Sequence, residues 1–140
     1  FSGTVCQVLI DGFKIVFGKS FHPRILKGEK GVLIYKNYII TDNEVIRPGS
    51  GNYKKDLIGK KISPTLENKL IKRATQYLEK GETLELTANY DIKRPSVIKP
   101  INVYGDIIGC VIVSDDTDIT DVDKTLAEFS GVFMSRYLEG

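Results

Sequence analysis

The side chains best suited to binding a ligand in this 140-residue chain lie in residues 47 to 63, RPGSGNYKKDLIGKKIS. Glycines leave backbone amides open to close approach and lysines add positive charge, so this composition can hold an anionic group. The phosphate-loop pattern GxxxxGK followed by Ser or Thr is absent, as is GxGxxG. An anion-binding loop and a lysine-coated connector therefore both stay open. The candidate ligand-binding residues are Ser50, Gly51, Asn52, Tyr53 and Lys54.

The first 37 residues carry an excess of positive charge. They hold six basic and two acidic residues, a net charge of +4, whereas the rest holds fourteen basic and sixteen acidic residues, a net charge of −2. Such an asymmetry is typical of a surface that faces nucleic acid, and a solvated lysine surface explains it at least as well. The candidate DNA-binding residues are Lys14, Lys19 and Arg24.

Residue types that often serve catalysis or metal binding are sparse. His22 is the only histidine in the chain, which excludes a site built from several histidines. Cys6 and Cys110 lie in apolar runs without a CxxC motif, so we interpret both as small buried residues. The aspartate run between 115 and 123 lacks the glycine and glutamate of a calcium loop and is typical of an acidic helix start. We expect no catalytic residue, metal site or cofactor.

Two strands and a long helix at the C-terminal end are the best specified elements. Residues 101 to 113 form apolar blocks around Gly105-Asp106, which predicts two antiparallel strands joined by a tight turn. Thr120 and Asp123 then have the spacing of a capping box, and apolar residues three or four apart predict a helix whose apolar face is buried. That face comprises Val122, Leu126, Phe129, Phe133 and Tyr137, of which the last four are candidates for an oligomer interface.

The remaining elements predict an α+β domain with an antiparallel sheet. Asp11-Gly12 predicts a hairpin in residues 4 to 17, and strand-like runs recur in residues 32 to 46. Ser63-Pro64 predicts the start of a helix that continues through Leu66, Leu70, Ala74 and Leu78 and stops at Gly81. Residues 82 to 90 have the alternation of a half-buried strand, and residues 91 to 96 read as a loop.

Size and composition favour a soluble, cytoplasmic protein that does not enter membranes. The longest apolar run is shorter than the roughly 20 residues that a membrane-spanning helix needs. A signal-peptide pattern is absent from the first residues, and two cysteines are too few for a disulfide framework. Because the chain starts at Phe1, we expect it to be a fragment or a processed form.

From Tyr38 onward, the chain resembles the C-terminal GAF-like domain of the stage V sporulation protein T family. The segments that carry the resemblance are YIITDNEVI, SGNYKKDLIGKKIS, INVYGDIIGCVIVS and DVDKTLAEFSGVFMSRYLEG. The resemblance implies a GAF-like antiparallel sheet flanked by amphipathic helices, together with small-molecule sensing and dimerisation. It names no ligand.

The first 37 residues resemble, less completely, the AbrB-type DNA-binding hairpin found at the N-terminus of such regulators. Ser2 to Val5, Lys14 to Lys19 and Arg24 to Glu29 follow the order of that pattern. Gly18 replaces its proline and most of its arginines are absent, which removes contacts to phosphate. The resemblance implies a β-rich segment in residues 1–37 and a GAF-like domain in residues 38–140. Alternatively, the first segment adds strands to the same sheet.

Together these observations predict a non-catalytic transcription regulator. Its GAF-like domain would oligomerise as a dimer or tetramer, bind an unknown small molecule, and present the basic segment to double-stranded DNA. Ligand binding would change the packing of the terminal helix. A ligand-free interaction module is the alternative, and a GAF-type thiol enzyme such as a sulfoxide reductase is a more distant one.

Overall fold

A computed structural model describes residues 37–42, 46–47 and 60–140, the first two ranges by their backbone alone. The predicted hairpin in residues 4 to 17 and residues 48 to 59 of the candidate ligand segment lie outside this part of the chain. In chain order the described elements are β1 (Asn37–Asp42), β2 (Ile46–Arg47), α1 (Pro64–Ile71), β3 (Gln76–Leu78), β4 (Leu84–Thr87), β5 (Tyr90–Ile92), β6 (Ser96–Val103), β7 (Asp106–Ser114) and α2 (Asp121–Glu139).

Five strands form an antiparallel sheet in the order β2-β1-β7-β6-β3, and β4 and β5 form a separate hairpin. The predicted hairpin of residues 101 to 113 is confirmed as β6 and β7, with a register irregularity between Ile101 and Asn102. Its turn is centred one residue earlier than expected. Tyr104 and Gly105 have φ values of 51° and 88°, and two successive positive angles are the requirement of a type I′ turn.

Both faces of the sheet are covered, which gives three layers. Residues of β6 and β7 alternate between the faces, because successive side chains of a strand point in opposite directions. One face packs against α2 through Val97, Ile101, Val111 and Val113. The other packs against α1 and the β4–β5 hairpin through Ile98, Cys110 and Ile112. The predicted α+β class with an antiparallel sheet between helices is therefore confirmed.

The first helix begins as predicted but ends ten residues before Gly81. The Ser63 hydroxyl caps it by accepting a hydrogen bond of 3.0 Å from the amide of Leu66, and Pro64 is its first residue. It ends because Arg73 adopts a φ of 63°, which breaks the helical path. The next residues pair with β6 as strand β3. Leu78 is buried all the same, since it lies on this strand rather than on a fourth helical turn.

Residues 82 to 92 form a hairpin instead of one strand and a loop. β4 covers only part of the predicted strand, and Asn89 turns the chain with a φ of 68°. β5 then pairs back onto β4, so the predicted loop of residues 91 to 96 begins inside a strand. Asparagine tolerates left-handed backbone, and this is the turn signal within the run TANY that the strand prediction did not use.

Candidate functional site

The terminal helix α2 lies against one face of the sheet through both large apolar and small residues. Its buried residues are Asp123, Leu126, Ala127, Ser130, Gly131 and Met134. The capping box predicted from Thr120 and Asp123 is present, with the Thr120 amide donating to the Asp123 carboxylate at 2.8 Å. Of the apolar face predicted to be buried, Leu126 is in the core, whereas Val122 and Tyr137 are 41% and 45% exposed. That prediction is therefore wrong for Val122 and Tyr137.

The absence of a side chain at Gly131 lets α2 lie close to the Lys99 side chain of β6. A Cβ atom at this position would lie 2.4 Å from Cγ and 3.0 Å from Cε of the Lys99 side chain. The aliphatic stem of Lys99, on β6, therefore runs across the helix backbone in the space that Gly131 leaves. A larger side chain at position 131 would displace this stem or hold the helix away from the sheet.

The Lys99 side chain ends in an ion pair with α2. Its Nζ lies 3.0 Å from one oxygen of Glu128, and the hydroxyl of Thr75 donates to the other oxygen at 2.6 Å. Burial would raise the pKa of the Glu128 carboxyl. The hydrogen bonds from Thr75 and Lys99 and the Lys99 charge outweigh this, so the pKa lies below its ordinary value of 4.5. These contacts fix the middle of the helix to β6 and to the start of β3.

The C-terminal end of α2 is held by the turn between β6 and β7. The Tyr104 amide donates to the Glu139 carboxylate at 3.1 Å, and the Tyr104 hydroxyl donates to the Glu139 carbonyl at 2.5 Å. The guanidinium of Arg73 in turn donates to the carbonyl of Gly105. The helix end, the turn and the chain segment after α1 are therefore joined at one corner of the domain.

Apolar side chains continue onto the part of α2 that the sheet leaves exposed, where Phe129 and Phe133 are half-buried and pack in part against the core. Phe129 and Phe133 stack with their ring centroids 6.4 Å apart, and Phe133 and Tyr137 stack at 6.0 Å. Val132 is 46% exposed on the same helix. Of the four predicted interface residues, Phe129, Phe133 and Tyr137 border this surface, whereas Leu126 is 2% exposed and packs in the chain's own core. Val132 was not among the predicted residues.

The acidic loop before α2 is occupied with structural hydrogen bonds. Asp115 is buried and accepts from the amide of Thr117 at 3.2 Å, while Asp116 pairs with Arg94 at 2.9 Å. Asp123 belongs to the capping box. Within residues 60–140, no group of histidine, cysteine, aspartate or glutamate side chains is arranged to hold a metal ion. Cys110 is buried in β7, while Cys6 and His22 lie outside the described residues.

The predicted ligand segment is anchored at both ends, although Ser50, Gly51, Asn52, Tyr53 and Lys54 lie outside the described residues. It follows β2, which is one of the two edge strands of the described sheet. At its other end, the Ser63 amide donates to the Leu86 carbonyl at 2.8 Å, and the Thr87 hydroxyl donates to the Lys61 carbonyl. The segment thus connects the sheet edge with the α1 layer. Lys14, Lys19 and Arg24 also lie outside the described residues.

Comparisons with known proteins assign this architecture to a class. A GAF domain, described as the cofactor-binding domain of the nutrient sensor CodY from Clostridium difficile, aligns with 94% of this chain and 97% of its own, with a TM-score of 0.53 and 18% identity. The fold is therefore GAF-like. Among the helices described in residues 60–140, none is long and apolar enough to cross a membrane.

The family follows from the sequence matches. The family model for the stage V sporulation protein T C-terminal domain, described as a transcription factor, matches residues 33–139. Stage V sporulation protein T from Bacillus subtilis (strain 168) is 30% identical over 103 residues, which cover 72% of this chain and 58% of that protein. The chain belongs to the stage V sporulation protein T C-terminal family of transcription factors. It spans less than two thirds of the length of this relative.

Proposed function

We propose that this chain is the part of a transcription regulator that joins subunits and responds to a small molecule. The observation that carries the proposal is the apolar outward surface of α2. Monomeric proteins seldom leave a group of apolar side chains such as Val122, Val132 and Tyr137 exposed to water on one helix. A second subunit that covers this surface would remove Val132 and Tyr137 from solvent. Membership in a transcription factor family supports a regulatory role.

The small molecule would act from the opposite side of the sheet. Residues 47 to 63 supply glycines, hydroxyls and lysines, and their C-terminal end is bonded to β4 through Lys61 and Ser63. A ligand that ordered this segment differently in two states would shift the sheet. The Lys99–Glu128 pair and the Tyr104–Glu139 contacts would pass that shift to α2. A ligand changes such an equilibrium only by its difference in affinity for the two states.

DNA binding belongs to the same proposal. The excess of positive charge in residues 1 to 37 suits a duplex backbone, and Lys14, Lys19 and Arg24 would supply phosphate contacts. Binding to random duplex DNA, measured by electrophoretic mobility, would then weaken steeply as salt is raised. A protein that ignores DNA even at low salt would assign this chain to the sensing and coupling part alone.

A ligand-free interaction module is the second candidate, and the packing of the sheet favours it. The described core residues on both faces are 0% to 4% exposed, so the protein's own side chains fill the space above and below β6 and β7. Such a domain would join subunits without sensing a ligand. It shares the α2 surface with the first candidate and differs in the role of residues 47 to 63.

Sedimentation equilibrium at micromolar concentration tests the subunit contact. We expect a dimer or tetramer for the wild-type protein and a marked shift to monomer for Val132→Glu, because the new charge would be placed in an apolar contact. Ile71→Glu is the matched control. Ile71 is 74% exposed on α1, which packs on the opposite face of the sheet from α2. A wild-type protein that stays monomeric contradicts the proposal.

Thermal unfolding in inorganic phosphate separates the two candidates. A site for anions in residues 47 to 63 predicts a rise in Tm with phosphate that is lost in Lys54→Ala/Lys55→Ala, because a ligand that binds only the folded state stabilises it. Lys80→Ala/Lys93→Ala removes the same charge at exposed positions elsewhere. An equal response in both variants, or none in the wild type, favours the ligand-free module.

A further inference from the structure

The outward face of α2 has the spacing of a helix-pairing seam. Val122, Thr125, Phe129, Val132 and Arg136 follow one another at intervals of three, four, three and four residues. This alternation keeps one line of side chains facing a neighbouring helix over several turns. Val122 and Val132 are 41% and 46% exposed, and Thr125 and Arg136 are also exposed. Phe129 lies between them in the sequence and is half-buried, because it also packs against the chain's own core.

Charge is distributed unevenly along the seam. The N-terminal end of α2 is acidic, with Asp118 and Asp121 exposed, while Arg136 is exposed near the C-terminal end. Within residues 60–140 no carboxylate forms an ion pair with Arg136. The other charges of this helix are engaged elsewhere: Lys124 lies over the ring of Tyr77, and Glu128 and Glu139 bind Lys99 and Tyr104.

We infer that two copies of this chain pair their α2 helices in antiparallel orientation, with each Arg136 beside the acidic first turn of the other helix. The inference rests on the proposed function, which it deepens by giving the arrangement of the partner. In a parallel pair, Arg136 would face Arg136 and Asp121 would face Asp121. An antiparallel pair turns both repulsions into attractions and also opposes the two helix dipoles favourably. A two-fold axis makes each contact occur twice.

A charge-exchange experiment tests the orientation. Arg136→Glu and Asp121→Arg are made singly and together, and the dimer dissociation constant is measured by sedimentation equilibrium. We expect each single change to weaken the dimer about tenfold, since two surface contacts of up to about 1 kcal/mol each change sign. The double variant should return to within about threefold of the wild type, because the exchanged charges at the two positions again attract across the seam. Single variants without effect, or a double variant weaker than both, overturn the inference.

Controls separate this inference from the proposed function and from a folding defect. Lys80→Glu and Asp91→Arg make the same charge changes at exposed positions outside α2 and should leave the dissociation constant unchanged. Asp121 lies in the first turn of α2, so far-UV circular dichroism accompanies each variant. A wild-type dimer that Val132→Glu dissociates but that shows no restoration in the double variant contradicts only the antiparallel orientation. A monomeric wild type contradicts the proposed function itself.

Discussion

The two faces of the five-stranded sheet are covered in different ways. On one face, leucines from α1, β3 and the β4–β5 hairpin fill the space, namely Leu66, Leu70, Leu78, Leu84 and Leu86. On the other face, α2 contributes Leu126 and Met134 to a hydrophobic core and approaches the sheet closely at Gly131. Polar contacts hold its sides. Both faces depend on buried apolar volume, and the second depends in addition on the absence of a side chain at Gly131. Removing core atoms should therefore damage either face, whereas adding atoms at position 131 should damage only the second.

Leu66→Ala is expected to have the largest effect. Leu66 is fully buried between α1 and the sheet, and its truncation should lower the free energy of unfolding by about 2–5 kcal/mol, through lost burial and a residual cavity. Urea unfolding measures the change. Ile71→Ala on the same helix, at a position 74% exposed, should change it by less than about 0.5 kcal/mol. Equal losses at the two positions would contradict the assignment of this face to leucine packing.

Gly131→Ala should lower the stability of the protein by adding atoms instead of removing them. The added methyl group would meet Cγ of Lys99, and we expect a loss of about 1–3 kcal/mol in the free energy of unfolding. In a Lys99→Ala background the obstacle is gone, so the same change should stabilise by about 0.5–1 kcal/mol through helix propensity.

The sign reversal between the two backgrounds is the decisive result for Gly131. If Gly131→Ala has the same effect with and without the Lys99 side chain, the close approach of α2 does not depend on that stem. The background change Lys99→Ala also removes the ion pair with Glu128, so each effect is measured relative to its own background.

Glu128→Gln is expected to have the smallest effect and a defined pH dependence. Because Glu128 is about half exposed, at 47%, its contacts should contribute less than about 1 kcal/mol at pH 7. Its pKa is lowered in the folded protein, so this contribution is present above the ordinary value of 4.5 and is lost as pH falls through the lowered pKa. Denaturant unfolding of both proteins between pH 7 and pH 3 measures it. A difference that grows on acidification would contradict the attribution to this carboxylate.

The elements with local signals were predictable from sequence. Ser63-Pro64, the capping box of Thr120 and Asp123, and the β6–β7 hairpin are each specified by residues close together in the chain. The end of α1 was not predictable from sequence, because a leucine eight residues after Leu70 fits a buried strand as well as a buried helical face. Only the pairing of β3 with β6 decides between them.

The buried side of α2 was predicted only in part. Leu126 is buried and Phe129 and Phe133 pack against the core, as the apolar periodicity indicated, but at successive four-residue steps the predicted set drifts around the helix. The small residues Ala127, Ser130 and Gly131 are buried as well, and the close approach at Gly131 depends on a lysine on another element. The signal for the outward surface was present as the three-four alternation from Val122 to Arg136. The predicted ligand and DNA residues stay predictions, since they lie outside the described residues.

The contact between Tyr104 and the last turn of α2 also affects exchange with solvent. Helix ends normally fray, and their amide protons exchange early. Here the final residue before the C-cap is bonded twice to Tyr104 in the hairpin turn, so opening the last helical turn also breaks these two contacts. The amide protons of that turn should therefore exchange more slowly than those of a helix end without such contacts.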